Sequence, residues 1–233
     1  MRLDTRRLTF VFFRLVYPPL YRFTNEIAEF LPRAREYFPF EHFHMDGDSG
    51  GVLESEAWKR LEIERSKLSY QEQVNEDFEV VRRNAVDLMT LALHHFEIPF
   101  FVVSRVTLRQ RWPMEPGDPA VLDVMREHAL KLEPGHFEPL GPIESVGLHL
   151  VGTVGDEEAE ADEGPVTDEA GERSFHWHLE IDPFRTTENE LFIQLGAEFR
   201  NPLDQADGIG EALQASHDFL YDNGGKFIAG FMP

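Results

Sequence analysis

In residues 174–182 apolar and polar side chains alternate without a break. Phe175, Trp177, Leu179 and Ile181 fall on one side, and His176, His178, Glu180 and Asp182 on the other. A strand of this kind has one face to bury and one to leave wet, because successive side chains point to opposite faces. The same period runs through residues 8–16, 58–73 (with a turn near Ser66-Lys67), 100–112, 143–152 and 190–200. Strands of a parallel sheet covered on both faces read instead as continuous apolar runs. The alternation therefore calls for an antiparallel sheet with one wet side.

Four intervening segments carry a helical period. Leu20, Phe23, Ile27, Phe30, Leu31, Ala34 and Phe38 form one stripe, behind Pro18-Pro19. Phe78, Val81, Ala85, Leu88, Ala92 and Phe96 form a second, with Asn75 expected as its cap and Glu76-Asp77 in its first turn. Leu122, Met125, Ala129 and Leu132 follow Asp118-Pro119, and Ile209, Leu213, Ser216 and Leu220 lead to an expected stop near Asn223-Gly224-Gly225. A single stripe must be buried against the sheet. The expected fold is α+β: a mostly antiparallel, curved sheet of six or seven strands, with four helices on one face. The order β-α-β-β-α, then β-α-β-β-β-α, divides one compact unit into halves at residues 1–98 and 99–233 and admits an internal duplication. It resembles the order in TATA-binding-protein-like folds, and the resemblance implies architecture alone.

Charge narrows the partners. The 233 residues hold 43 Asp+Glu against 22 Lys+Arg, a formal charge of −21. Nine of those acids lie between Asp156 and Glu172, so an acidic loop is expected at 154–173. Such a balance argues against broad contact with a nucleic-acid backbone, which rests on Lys and Arg neutralising phosphates. The run Ile98-Pro99-Phe100-Phe101-Val102-Val103 is far short of the ~18–20 apolar residues that span a bilayer. The amphipathic N-terminal stretch, broken by Arg14 and Pro18-Pro19, offers no signal-peptide core. The absence of cysteine removes disulfides, thiol nucleophiles and thiolate metal sites. The expectation is a soluble, cytoplasmic protein with no membrane contact.

Two constellations could carry function. Arg105, Arg109 and Arg111, with Thr107, share one face of their strand, and successive same-face residues stand ~7 Å apart. Glu62 and Glu64 are the expected cross-strand partners, and an anionic ligand or acidic peptide is the alternative. The second constellation is histidine on strands. His176 and His178, with Glu180, present neutral imidazole and carboxylate suited to a divalent metal such as zinc. His42, His44 and Asp46 repeat the period, and the run partly resembles the H-x-H-x-D-H of metallo-β-lactamase-like hydrolases, with Gly47 in place of the final His.

No nucleophile–base set stands in context, so no catalytic residue is assigned. The expected function is a non-enzymatic binding or assembly protein without a cofactor, whose open sheet face and arginine strip receive a protein partner or form a homo-oligomer. One alternative is a metal-dependent hydrolase using the His/carboxylate residues, with Asp46 or Glu180 as ligand or general base. Another is a small-molecule binding protein, with Phe10, Phe12, Phe100 and Phe101 around a pocket between helices and sheet.

Overall fold

The computed structural model describes residues 6–21, 23–37, 40–46, 50–55, 58–74, 77–114, 120–131, 146–155, 174–183 and 190–230. The acidic stretch 156–172, Asn75 and Asp118-Pro119 lie outside them. The chain forms β1 (Arg7–Val16), α1 (Phe23–Tyr37), β2 (His42–Asp46), β3 (Gly50–Glu54), β4 (Arg60–Glu64), β5 (Lys67–Gln73) and α2 (Phe78–His95). It continues with β6 (Val102–Pro113), α3 (Val121–Val124) running into a π-helical turn (Met125–Ala129), β7 (Leu148–Val154), β8 (Phe175–Pro183) and β9 (Glu190–Glu198). It closes with α4 (Asp207–Asp218), a π-helical stretch (Phe219–Gly224) and α5 (Gly225–Ala229).

Among the described residues, nine strands join one open antiparallel sheet in the order β2-β3-β4-β5-β1-β6-β9-β8-β7. The fold is α+β, with the helices on one face, as the one-sided stripes require. Two strands beyond the six or seven expected come from the β2–β3 hairpin. Its Gly50-Gly51 start has no side chains to show a period. Gly51 is needed from outside the strand: a Cβ there would lie 2.6 Å from Ile27 Cδ1, so its absence lets α1 settle on β3.

The β1–β6 pair forms a seam. Read outwards from it, one side runs β1-β5-β4-β3-β2 and the other β6-β9-β8-β7. Each side sets its first strand at the centre, returns its last strand beside it, and meanders to the edge. Strands from residues 1–98 lie on one side and those from 99–233 on the other. The shared order is one of topology, and the two sides differ by a strand among the described residues.

The core lies between seam and helices. Val11, Phe13 and Leu15 of β1 meet Val106, Leu108 and Trp112 of β6, each no more than 1% exposed. Burying a side chain of this size contributes roughly 1.5–3 kcal/mol. On α1, Phe23 and Phe30 clasp Phe96 beyond α2, with ring centroids 6.2 and 5.0 Å apart. His95, in the last turn of α2, bridges helices: Nε2 donates to Glu26 O at 2.8 Å while Arg33 donates to Nδ1 at 3.4 Å. The cap of α2 is Asp77, whose carboxylate accepts from Glu79 N at 3.2 Å. Beyond β1, Tyr17 ends the core: its buried hydroxyl donates to Glu64 O at 2.7 Å and lies 3.0 Å from Lys67 O, and burial beside Glu64 holds the phenol well above its usual range.

The chain departs from expectation at Asn223-Gly224-Gly225, which continues the helix through the π stretch into α5. Gly225 answers to a close approach, since a Cβ there would fall on the Arg6 guanidinium. That cation sits over Tyr221 (4.7 Å) and Trp112 (5.3 Å) and donates to Tyr221 O at 2.7 Å.

Candidate functional site

The opposite face of the sheet carries no described helix, and it holds the arginine strip and both histidine sets. Strand register assigns them, since paired residues share a face. On the seam, Arg7 lies opposite Arg111, Phe10 opposite Arg109, Phe12 opposite Thr107, and Arg14 opposite Arg105. A bulge near Thr9 keeps Arg7 and Phe10 on this side. Arg105, Arg109 and Arg111 thus stand together as expected, and β1 adds Arg7 and Arg14, which alternation within β6 could not reveal.

The expected partners Glu62 and Glu64 are elsewhere. Their strand, β4, is three steps from β6. Glu64 pairs with Lys67 at 2.8 Å, and Glu62 lies 4.0 Å from Arg60. Arg109 turns the other way: its Nε donates to Gln194 Oε1 at 2.7 Å, and Gln194 Nε2 donates to Glu180 Oε2 at 2.8 Å. This relay crosses β6, β9 and β8 and joins the arginine strip to the histidine-bearing strand. Arg109 also lies over the Phe10 ring at 4.5 Å, Arg14 over Phe12 at 5.5 Å, and Arg111 is 4.0 Å from Glu190. Arg105 is exposed above Gly196, and among the described residues it makes no ion pair or hydrogen bond through its side chain.

The two histidine sets do not meet. His42, His44 and Asp46 lie on the edge strand β2, and His176, His178 and Glu180 on β8, seven strand steps away. At ~4.8 Å per step that is about 34 Å along the sheet, so one ion cannot bridge them. Within β8, His176 Nδ1 is 3.1 Å from Thr153 Oγ1, His178 stacks on His149 with centroids 5.9 Å apart, and Glu180 accepts from Gln194. Among the described residues no group of three or more His, Asp or Glu is placed to hold a metal. Phe10 and Phe12 face away from the helices, Phe101 is buried and Phe100 is 46% exposed, so these four do not surround one pocket.

One end of the seam opens into a cavity of about 860 Å³, lined among others by Arg7, Arg111, Glu190, Asp77, His217 and Tyr221. His217 is sandwiched there between Phe78 (4.0 Å) and Tyr221 (4.2 Å). Burial lowers its pKa below the ordinary 6.5, against the pull of Asp218, Glu79 and Asp222. Among the described residues no helix is long and apolar enough to cross a membrane. No protein-family model matches the chain, and no curated protein matches it in sequence.

Proposed function

We propose that the chain is a non-enzymatic binding protein whose sheet face without a helix among the described residues receives a protein partner. The observation that supports this reading is the seam: five arginines gather on the open side of two strands in a protein of formal charge −21. Directly opposed like charges destabilise a strand pair; Glu190 lies 4.0 Å from Arg111 at one end, and at the other Arg14 opposes Arg105, where the arrangement lowers stability unless something anionic meets it. A second copy fits this surface poorly. Docked face to face about the seam, it would set guanidinium against guanidinium. Metal-dependent hydrolysis through His42, His44, Asp46, His176, His178 and Glu180 has no comparable support, because the strand order keeps the two sets apart. A cytoplasmic setting belongs to the reading, and a chain without cysteine suits it.

The test compares native co-purification of the wild type, an Arg105→Glu/Arg109→Glu variant, and an Arg82→Glu control on α2. Loss of the same protein from the face variant alone supports docking there. A co-purifying set unchanged by the face variant, or lost equally with Arg82→Glu, overturns it. Light scattering decides whether a second copy is the occupant.

A further inference from the structure

We infer that the partner docks through an acidic segment one helix or one strand wide, laid along the β1–β6 seam, with acidic groups at both ends and apolar side chains between. This rests on the docking reading above and adds the chemistry of what docks. The charge on the seam comes first. Arg7 opposes Arg111 at one end and Arg14 opposes Arg105 at the other, with Arg109 between them. Among the described residues the side chains of Arg7 and Arg105 make no ion pair or hydrogen bond. Guanidinium groups so placed can take carboxylates through two parallel hydrogen bonds.

Width selects among anions. Beside the seam β5 presents Lys67, Ser69, Gln71 and Gln73, and β9 presents Phe192, Gln194 and Gly196 between Glu190 and Glu198. Outside them stand acids again: Glu62 and Glu64 on β4, Glu180 and Asp182 on β8. From the acids of β4 to those of β9 is four steps, about 19 Å along the sheet. An α-helix of ~10–12 Å diameter, or a single strand, fits between those acids when it lies over β5, β1 and β6. A nucleic-acid duplex, with phosphates on both flanks, would reach the carboxylates on either side.

Spacing gives the pattern within the segment. Arg105 and Arg111 are six residues apart on β6, about 20 Å. A helix covers that distance in about 13 residues and an extended chain in about six. Between the two arginine pairs lie Phe10 and Phe12, each with a guanidinium over its ring. Acids at the centre of the segment would meet these rings; apolar side chains there would pack on them.

Fluorescence anisotropy on the full-length protein tests the pattern with labelled synthetic probes. One is a helical peptide of about 16 residues with paired glutamates at both ends and leucines between. The others are a peptide of the same composition with its glutamates at the centre, and a single-stranded oligonucleotide of equal charge. The end-charged peptide is expected to bind about tenfold more tightly than either, and to lose about tenfold on Arg105→Gln/Arg109→Gln but not on Arg82→Gln. Thermal unfolding confirms that each variant is folded. Equal binding of the two peptides, equal or tighter binding of the oligonucleotide, or indifference to the double variant overturns the inference. A protein that co-purifies through the face but is displaced by no acidic peptide overturns the acidic segment and leaves docking in place. Co-purification that ignores the face variant removes both.

Discussion

Glu72 is the buried charge on which the sheet's inner face depends, and removing its partner gives the sharpest stability test. Glu72 is 2% exposed on the core side of β5. It is held by Lys59 Nζ at 2.8 Å and by the Tyr70 hydroxyl, which donates at 2.7 Å. The turn that brings Lys59 in passes through Trp58 at φ 60°, a left-handed conformation that costs a non-glycine residue about 1–2 kcal/mol. At 2.8 Å and an effective dielectric of about 20 the two charges attract by about 6 kcal/mol. Most of that offsets their removal from water, so the pair as a whole adds little. Lys59→Met removes the attraction and leaves the cost for Glu72. It should lower stability by about 3 kcal/mol, the low end of the range for a broken buried pair, because Lys59 itself remains 16% exposed. The double variant Lys59→Met/Glu72→Leu should return to within about 1 kcal/mol of wild type. Urea unfolding of both at neutral pH reads the difference. A Lys59→Met loss below about 1 kcal/mol, or a double variant less stable than the single, would refute the reasoning.

Gly225→Ala should destabilise by about 1–3 kcal/mol, because the new methyl meets the Arg6 guanidinium; a gain, as helix propensity alone would give, counts against that account. His217 has a folded pKa below the unfolded 6.5, so the unfolded chain binds the proton more readily. Its contribution is complete above that value and is lost as pH falls through it towards the folded pKa. Wild type should therefore lose more thermal stability on acidification than His217→Gln, and parallel pH profiles would contradict this. Arg105→Thr should raise the unfolding free energy by about 0.5 kcal/mol by relieving the opposed charge of Arg14, while weakening the end-charged peptide; an unchanged or lower stability removes the like-charge argument.

What could be read in advance was whatever one segment decides by itself. Phe23, Ile27, Phe30 and Ala34 define the buried side of α1 from spacing alone, as Val81, Ala85, Leu88 and Ala92 do for α2. The alternation of residues 174–182 fixes which side of β8 faces the helices. Features set by a neighbour remained hidden. Asn223-Gly224-Gly225 has the composition of a helix stop, yet Arg6, more than two hundred residues away, needs the space that Gly225 leaves. Gly50-Gly51 hid a strand because its packing surface is supplied by Ile27. The arginine strip was visible on β6, but its doubling by Arg7 and Arg14, and its separation from Glu62 and Glu64, are facts of strand adjacency that no period encodes.

The period of two that betrayed the strands also divides their labour, and adjacent residues on β1 expose the division. Phe13 is fully buried and packs against Tyr70 with the rings tilted and their centroids 5.5 Å apart. Phe12, one residue earlier, is half-buried on the open side beneath Arg14. Phe13→Ala opens a cavity in a packed core and should cost about 3–5 kcal/mol. Phe12→Ala gives up only part of one ring's burial, about 1 kcal/mol, but removes the apolar platform between the two arginine pairs. The two alanines should therefore separate cleanly, one read in the unfolding midpoint and the other in peptide anisotropy. If Phe12→Ala cost as much stability as Phe13→Ala and left binding intact, the outer face would be a second core awaiting its own cover, and the seam would have no claim as a docking surface.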